Sequence, residues 1–515
     1  MAGLVQSNVV DFIQMADLSS VQLNPASDAP IYRQLADAIG QMIESDSLRA
    51  GERLPATRDL AGQLGLNRTT ISAAYAVLEE SGLILGHVGR GSFVAGRRAS
   101  PAAPDAGQVS RAFDWESILP PLEPRMAGAA GRPIEINFLN ARPSRDAFPL
   151  VPFRRLAKQV IDSAEAGEIL QLGSPHGYAP LRRYLLEEAQ AAGIARSGDD
   201  LIVTNGCQQA LDLIARLLTA HGETAVLEDP LYNGQLRVFV RAGARIVTVP
   251  VGPFGLDTDA LDQVLDRERP RLLVVTPSFQ NPTGATIPLA QRHKIVALAQ
   301  KYGVVLVEND IYGELRYRGA PLPTLKQLDE SGNTILLRSY SKVSFPGLRV
   351  GWAIAPRAVL ARLAEAKQTT DLHSDQLSQA VLLRFAQSGE LARHLELTRQ
   401  AGADRLDAVL QACDQYLPAG TTFTRPEGGM NLWIVIPAPL VADDILNRVQ
   451  ERGVSFLPGR YFSANGGQAR GLRISFGGLT PDQIIRGIQI LGDTVAAQLA
   501  AVRNFAAYEP EAALV

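Results

Sequence analysis

Lys342 could act as a nucleophile, because it ends the segment RSYSK directly after a predicted buried strand. Among Ser, Tyr and Val at a strand end, a lysine loses its proton more easily than a solvated one does. A neutral amine is what an aldehyde needs in order to form a Schiff base. Ser339 and Arg349 are close enough in sequence to hold a phosphate beside it. A Ser-x-Ser-Lys pattern is weak by itself, and a surface lysine is the alternative interpretation.

Four further predicted strands end in residues that suit the same kind of ligand. Thr204–Ala210 is a strand end, a glycine turn and a helix start, which aims backbone N–H groups at an anion. Tyr232 follows the next strand and offers an aromatic face to a flat ring. Asn281 follows a third strand, and Asn309 and Tyr312 end a fourth. Open α/β sheets bind ligands at the carboxyl ends of their strands, so these residues together predict one ligand site.

The elements that must bring these residues together are predicted between about residues 134 and 500, where short apolar runs alternate with amphipathic helices. The predicted strands are Leu201–Thr204, Thr224–Glu228, Leu272–Thr276, Val304–Val307 and Thr334–Leu337. Helices predicted near 207–220, 289–302 and 357–367 separate them. This alternation predicts an α/β fold with a largely parallel sheet and helices on both of its faces.

A smaller N-terminal region has the outline of a winged helix-turn-helix. Helical patterns begin at Pro30 and cover about 58–64 and 69–81, and two strand-like runs follow around a glycine-rich turn. Asn67 can cap the third helix, whose first turn would then face base edges and phosphates in a major groove. The candidate DNA contacts are Arg53, Arg58, Arg68, Thr69, Thr70 and, at the tip of the wing, Arg90. The alternative is an ordinary solvated helical face.

Composition limits these interpretations. The chain has 515 residues, of which 46% are hydrophobic and 20% charged, as in a globular protein with several domains. Its net charge of −3 creates no overall basic field, so the local placement of arginines must account for DNA binding. Its two cysteines form no CxxC or Cys/His cluster, so we expect no metal site and a reducing cytoplasm. We see no signal peptide and no apolar run long enough to span a membrane.

Composition also divides the chain, since residues 98–133 are rich in Pro and Ala, as linkers are. The predicted order is an N-terminal extension (1–29), the winged helix-turn-helix (30–97), the linker (98–133), the α/β ligand-binding domain (134–500) and a tail (501–515).

Two regions resemble known families. Gly51–Arg58, Arg68–Ile71 and Gly89–Val94 resemble the turn, the recognition-helix start and the wing of the GntR transcription regulators. Residues 134–495 resemble a fold-type I, class I aminotransferase domain, which depends on pyridoxal 5'-phosphate (PLP). A winged helix joined by a Pro-rich linker to such a domain is the arrangement of the MocR-type regulators, a GntR subfamily. The resemblance covers about 30–495.

The resemblance implies a role for each candidate residue. Lys342 is the catalytic Schiff-base lysine, and the PLP phosphate is held by Gly206, Cys207, Gln208, Ser339 and Arg349. Tyr232 stacks on the pyridine ring, Asn281 and Tyr312 bond its phenolic oxygen, and Arg473 clamps the α-carboxylate of an amino acid. The implied partners are double-stranded operator DNA, an amine or amino-acid effector sensed through an aldimine on Lys342, and a second copy in a head-to-tail homodimer.

Three positions depart from the aminotransferase pattern. Asn309 stands where the family keeps an Asp that pairs with the pyridinium nitrogen, and a neutral amide makes the ring a poorer electron sink. Asp310 is next to it, but regular alternation along a strand points it the other way. Leu172 stands where the family has a tyrosine that reaches the partner's phosphate. Ala141 stands where the family has a glycine.

We therefore predict a PLP-dependent transcriptional regulator with weak or no transamination. A genuine aminotransferase with a DNA-binding appendage is the alternative. A third hypothesis is a regulator whose effector binds elsewhere, beside a vestigial PLP site.

Overall fold

The computed structural model describes Leu18, Val21, 23–24, 30–45, 47–49, 51–87, 91–95, Trp115, 118–119 and 133–506. The chain divides into two compact units, Met1–Pro124 and Arg125–Val515. Most of the predicted extension, of the predicted linker and of the predicted tail lies outside the described residues. In the part of the chain that is described, no helix is both long and apolar enough to cross a membrane.

The N-terminal unit contains three helices followed by a hairpin. Its elements are α1 (Ile31–Glu44), α2 (Thr57–Leu64), α3 (Arg68–Glu80), β1 (Ile84–His87) and β2 (Gly91–Val94). α2 ends at Gly65, whose φ of +66° is a left-handed conformation that suits glycine. Asn67 caps α3, since its side-chain oxygen accepts a hydrogen bond from the Thr69 amide at 3.1 Å. This tight connection confirms the winged helix-turn-helix prediction.

A compact apolar core joins the three helices. Residues at helical spacing point inward and are buried: Leu35, Ile39, Leu60, Ile71, Ala74 and Leu78. The phenol of Tyr75 donates a hydrogen bond of 2.8 Å to the carbonyl of Pro55, which ties α3 to the loop before α2. The orientation of α3, and thus of its first turn, follows from this packing.

The C-terminal unit contains helices and strands in alternation. Its helices are α4 (Leu150–Ile161), α5 (Ala166–Ile169), α6 (Ala179–Ala191), α7 (Cys207–Leu218), α8 (Asn233–Arg241), α9 (Thr258–Glu268), α10 (Leu289–Tyr302), α11 (Leu325–Leu328), α12 (Arg357–Asp371), α13 (Gln376–Gln387), α14 (Glu390–Tyr416), α15 (Ala442–Gln450) and α16 (Pro481–Ala506). Its strands are β3 (Ile136–Asn137), β4 (Asp199–Thr204), β5 (Thr224–Asp229), β6 (Arg245–Gly252), β7 (Gly255–Leu256), β8 (Leu272–Val275), β9 (Val305–Asn309), β10 (Thr334–Ser339), β11 (Gly351–Pro356), β12 (Thr422–Phe423), β13 (Asn431–Val435), β14 (Val454–Ser455), β15 (Leu457–Pro458) and β16 (Gly471–Ser475).

The central sheet has eight strands in the order β4-β11-β10-β9-β8-β5-β6-β7. The neighbours from β10 through β6 pair in parallel, whereas β11 and β7 run antiparallel to the strands beside them. The carboxyl ends of β4, β5, β8, β9 and β10 therefore meet at one edge. A smaller antiparallel sheet, β12-β13-β16-β15, forms with α14, α15 and α16 a separate apolar core.

Helices cover both faces of the central sheet, as predicted. One face packs against α7, α8 and α12, with Ile214, Phe239 and Leu363 buried among strand residues. The other face packs in part against α6 and α13, with Leu181 and Phe385 buried. Because the sheet is buried on both sides, its strands are near-continuous apolar runs that end abruptly in polar residues. The predicted α/β fold class is confirmed.

Candidate functional site

A cavity of about 360 Å³ opens at the carboxyl edge of the central sheet. Among the predicted site residues, it is lined by Cys207, Gln208, Tyr232, Asn281, Asn309, Tyr312, Ser339, Lys342, Arg349 and Arg473. Gly206 lies just behind the wall, where a Cβ would collide with the Arg349 guanidinium. Tertiary folding thus brings the predicted ligand-site residues together, although their individual roles stay predictions.

The anion-binding corner of the cavity is formed by the start of α7 and by Arg349. Gly206 precedes α7 with a φ of +80°, so the first N–H groups of the helix are free to meet an anion. Arg349 donates hydrogen bonds to the Asn205 carbonyl at 3.1 Å and to the Ser341 hydroxyl at 3.3 Å. The arginine is therefore held in place without a carboxylate partner among the described residues, which leaves its charge for a phosphate.

Cys207 can contribute its backbone N–H at the start of α7 to anion binding, but its thiol is not available. Its sulfur donates to the carbonyl of Arg338 at 3.2 Å, and burial raises the pKa of the thiol to about 12. A thiol in this state is not nucleophilic at neutral pH. Gln208 similarly turns its side chain toward the carbonyl of Gly234, at 2.8 Å.

Lys342 lies at the end of a 3-10 turn, Tyr340–Lys342, that directly follows β10. Its Nζ donates to the carbonyl of Ala141 and lies 5.6 Å from the centre of the Tyr312 ring. No carboxylate pairs with it among the described residues. An amine with a neutral carbonyl partner and an aromatic wall is well placed to react with a carbonyl carbon in the cavity.

Asn309 reaches the base of the cavity together with two residues that the sequence analysis did not single out, Gln235 and Glu228. The Asn309 amide nitrogen lies 3.5 Å from the Gln235 side-chain oxygen. Within the described residues, Asn309 Oδ1, Gln235 Nε2 and Glu228 Oε1 are all buried without a hydrogen-bond partner. Such buried polar atoms are costly unless a ligand or water satisfies them.

Glu228 is a buried acid whose charge is disfavoured. Burial raises the pKa of this carboxyl to about 8, against the effect of hydrogen bonds from the Thr276 amide and the Gln280 side chain. At neutral pH the base of the cavity is therefore lined mainly by neutral groups. A polar residue at the last position of an apolar run, as in Thr224–Glu228, is the sequence signal that could have identified it.

Asp310 does not substitute for Asn309. It points to the opposite side of β9 and accepts two hydrogen bonds from Arg338, at 2.9 and 2.8 Å. Burial raises the pKa of Asp310, and Arg338 opposes this shift. The regular alternation expected along the strand is therefore observed, and no carboxylate from this position reaches the cavity.

Tyr312, Asn281 and Arg473 also line the cavity. The Tyr312 hydroxyl is buried and has no partner among the described residues. Arg473 donates to Asn281 Oδ1 at 3.0 Å and to the carbonyl of Leu139, and its Nε is unpaired within the described residues. Burial lowers the pKa of Arg473 to about 10, and no carboxylate pairs with it in the described part of the chain. This is a buried cation arranged to receive an anion.

Tyr232 is an accessible residue of the cavity wall, with 45% of its surface exposed. It lies just before α8, where its ring covers Gly234. Leu172, where a tyrosine was expected, is 73% exposed and has no group that could bond a phosphate.

Four of the six predicted DNA contacts are exposed in the N-terminal unit. Arg58 lies in the first turn of α2, and Arg68, Thr69 and Thr70 form the first turn of α3. Arg53, Arg58, Arg68 and Thr69 are exposed and Thr70 is half-buried. None of the three arginines makes an ion pair within the described residues. Arg90 lies outside the described residues.

Comparison with known proteins identifies a family for each of the two domains. The pattern of the aminotransferase class I and II family matches residues 143–491, and that of the bacterial regulatory proteins of the gntR family matches residues 31–94. The structure of LysN, an alpha-aminoadipate aminotransferase from Thermus thermophilus complexed with N-(5'-phosphopyridoxyl)-L-leucine, is similar with a TM-score of 0.67 and 37% identity; the match covers 71% of this chain and 93% of that one.

Two curated relatives differ in the extent of the match. A 2-aminoadipate transaminase of Thermus thermophilus is 38% identical over 72% of this chain and 92% of its own length. The probable rhizopine catabolism regulatory protein MocR of Rhizobium meliloti is 30% identical over 91% of this chain and 94% of its own length. The second relative therefore matches nearly the whole chain.

The fold and cavity thus define a class I and II aminotransferase domain, joined here to a GntR-type DNA-binding domain. The chain belongs to the MocR-type regulators within the GntR family. The predicted family is confirmed, and so is PLP as the cofactor of the large domain's family.

Proposed function

We propose that this protein is a transcriptional regulator that binds operator DNA through α3 and senses an amino compound in its PLP cavity. The observation that carries the proposal is the pairing of a GntR module with a cavity that keeps Lys342 but has Asn309 at its base. The first feature supports DNA binding, and the second supports ligand binding with little turnover. We expect it to act in the cytoplasm, where operator DNA lies.

The residues of the cavity fit PLP. The start of α7 and Arg349 would hold the phosphate, and the unpaired atoms of Tyr312 and Asn309 would meet the ring oxygen and the ring nitrogen. When bound, PLP supplies an aldehyde carbon that exchanges reversibly between the Lys342 amine and the amine of a ligand. Lys342 is held toward the cavity by the Ala141 carbonyl, so its nitrogen is oriented before the ligand arrives.

The effector that fits best is an amino acid. Its amine would compete with Lys342, and its carboxylate would pair with Arg473, the buried cation that has no acidic partner among the described residues. Bidentate pairing of a guanidinium with a carboxylate gives both affinity and orientation. The distal group of the effector would be chosen by residues farther from Lys342.

Asn309 allows ligand binding in the cavity but disfavours amino transfer. A carboxylate near the ring nitrogen would favour its protonated form, typically by 1–3 pKa units. An amide lacks that charge, so electron withdrawal through the ring is weaker. Asn309→Asp should therefore raise amino transfer to 2-oxoglutarate about 10- to 1,000-fold, at about ten-fold per pKa unit. Asn309→Ala is the matched control and should not raise the rate of amino transfer.

The alternative function, an aminotransferase with a DNA-binding appendage, draws support from the 38% identity to a transaminase. Fast transamination by the unaltered protein that Asn309→Ala does not disturb would favour this alternative.

The regulator function is tested by DNA binding. A duplex would first be selected from a random library, and its binding to the protein measured by fluorescence anisotropy. We expect affinity to change at least several-fold on adding PLP with the cognate amino acid, and Lys342→Ala to abolish the change.

We also propose a head-to-tail homodimer. Exposed apolar side chains lie on α4 and around α5, namely Leu150, Val151, Ile161, Leu170 and Leu172. Contiguous exposed apolar residues commonly mark protein interfaces. Val151→Asp should produce monomers in light scattering, whereas Phe254→Asp, at a 68% exposed position in the β6–β7 turn, should remain dimeric. An unchanged mass for Val151→Asp would place the interface elsewhere.

A further inference from the structure

A second cavity, of about 350 Å³, lies beside the cofactor cavity in the large unit. Asn309 lines the first cavity and its neighbour Asp310 lines the second, because successive strand residues point to opposite faces of a sheet. Side chains of α6, α13 and α14 close it on the outside. Neither PLP nor the amino-acid effector proposed above uses this space.

The walls of the second cavity are aromatic and aliphatic. Tyr184, Tyr340 and Trp352 supply rings, and Leu185 and Leu395 supply part of the aliphatic surface. The Tyr340 and Trp352 rings lie 5.0 Å apart between centroids and are tilted by 56°. Adjacent aromatic faces of this kind attract cations through the negative potential above the rings.

The polar groups of the cavity are mostly acidic. Glu188, Asp310 and Glu314 line it, and Arg338 is the one basic residue among them. Arg338 forms an ion pair with Asp310 and lies 3.8 Å from Glu314. Glu314 also forms an ion pair with Arg399, at 2.8 Å. Glu188 is exposed, and its side chain makes no ion pair or hydrogen bond within the described residues. One carboxylate is therefore left free for a ligand.

Tyr340 points to the same place by independent evidence. It is only 5% exposed, yet its hydroxyl has no hydrogen-bond partner among the described residues. Burial raises the pKa of this phenol, and the neighbouring Tyr184, Glu188 and Glu314 raise it further. Because Tyr340 lines the cavity, its hydroxyl is available to a water or a ligand there.

We propose that this cavity binds a small organic cation with an aromatic or branched apolar body, at a site separate from the PLP site. The charge lies between the Glu188 carboxylate and the Tyr340 oxygen, and the apolar body packs against Trp352 and Leu185. Ser339 lines both cavities, and Tyr340 shares its 3-10 turn with Lys342. An occupant therefore touches the segment that carries the cofactor lysine.

Benzamidine is a suitable probe, because it is a flat aromatic cation that donates hydrogen bonds and does not form a Schiff base with PLP. Benzamide has nearly the same shape without the charge. Calorimetric titration of the PLP-saturated full-length protein should show benzamidine binding at least ten-fold tighter than benzamide. The affinity should stay within two-fold when PLP is removed, since the two ligands occupy different cavities.

Variants locate the site. Glu188→Gln should weaken benzamidine about two- to five-fold, the usual range for an exposed charge pair. Tyr340→Phe should weaken it about ten-fold, the effect of losing a hydrogen bond to a charged group. Glu187→Gln is the control, because Glu187 is an exposed neighbour on α6 that does not line the cavity.

Three results would overturn the proposal. Equal binding of benzamide would remove the cation preference. Full affinity in both Glu188→Gln and Tyr340→Phe would place benzamidine elsewhere. Loss of benzamidine binding on saturation with PLP would place it in the cofactor cavity. Because Glu188 is exposed, its variant is expected to fold, and its melting temperature verifies this.

Discussion

Arg473 provides the sharpest test of the effector site, through the substitution Arg473→Met. Arg473 is 4% exposed, and its guanidinium donates to Asn281 and to the Leu139 carbonyl. No acidic group among the described residues compensates its charge. Methionine has a similar length, fills the space and removes the charge, so the variant should fold.

The size of the effect follows from the cost of burying the charge. Burial lowers the pKa of Arg473 to about 10, well below the ordinary value of a guanidinium. That difference corresponds to about 3 kcal/mol against the charged form. A carboxylate that pairs with the guanidinium should recover a free energy of this order, or roughly 100-fold in affinity at about 1.4 kcal/mol per factor of ten. The unliganded variant should be as stable as the parent or more stable, because an uncompensated buried charge is gone.

Absorption titration of the PLP-bound protein measures this effect. Each of the twenty amino acids is added in turn, and whichever binds is compared with its decarboxylated amine. The unaltered protein should prefer the amino acid by about 100-fold, and Arg473→Met should bind both alike. Arg460→Met, which removes an exposed arginine paired with Asp443 at 2.8 Å, should keep the preference. A full preference for the amino acid in Arg473→Met would refute the assignment of Arg473 as the carboxylate partner.

Three other predictions concern the cofactor, the buried acid and the DNA surface. Lys342→Ala should lose the visible band of lysine-bound PLP in an absorption spectrum; an amino-acid response in DNA binding that survives this change would exclude sensing through Lys342. Glu228 has its pKa raised to about 8 by burial, so its contribution to folding is fully present below the unfolded value of about 4.5 and is lost as pH rises through 8. Melting temperature should therefore fall more steeply between pH 5 and 8 in the unaltered protein than in Glu228→Gln, by on the order of several degrees, and parallel curves would contradict the buried neutral acid. Arg68→Ala should weaken DNA binding and make the negative slope of log K against log salt shallower by about one, whereas Arg33→Ala on α1 should leave the slope unchanged.

Much of the cofactor cavity could be predicted from the sequence, because its residues lie at the ends of apolar strands. In a parallel sheet these ends must meet at one edge, so Tyr232, Asn281, Asn309 and Lys342 could be grouped without knowing any distance. The opposite direction of Asp310 was also predictable, since side chains alternate along a strand. Arg473 was different, because only the family resemblance connected it with the site.

Other features were not predictable because they depend on pairings between distant segments. Gln235 belongs to α8 and Asn309 to β9, and nothing in either segment indicates that their amides meet. The raised pKa of Glu228 depends on burial, which outweighs the hydrogen bonds from Thr276 and Gln280 after β8. The second cavity exists only where α6 and α14, about 200 residues apart in the chain, close over the same part of the sheet.

The sequence by itself determined the two modules, the α/β class, the family and the edge of the sheet where a ligand binds. These follow from local periodicity, turn residues and motif spacing, which act over a few residues at a time. Only the tertiary structure decided which polar atoms are left without partners, which charges are buried and where empty space remains. Those properties arise from close packing of segments far apart in the chain, because burial and pairing are set by three-dimensional neighbours rather than by neighbours in sequence.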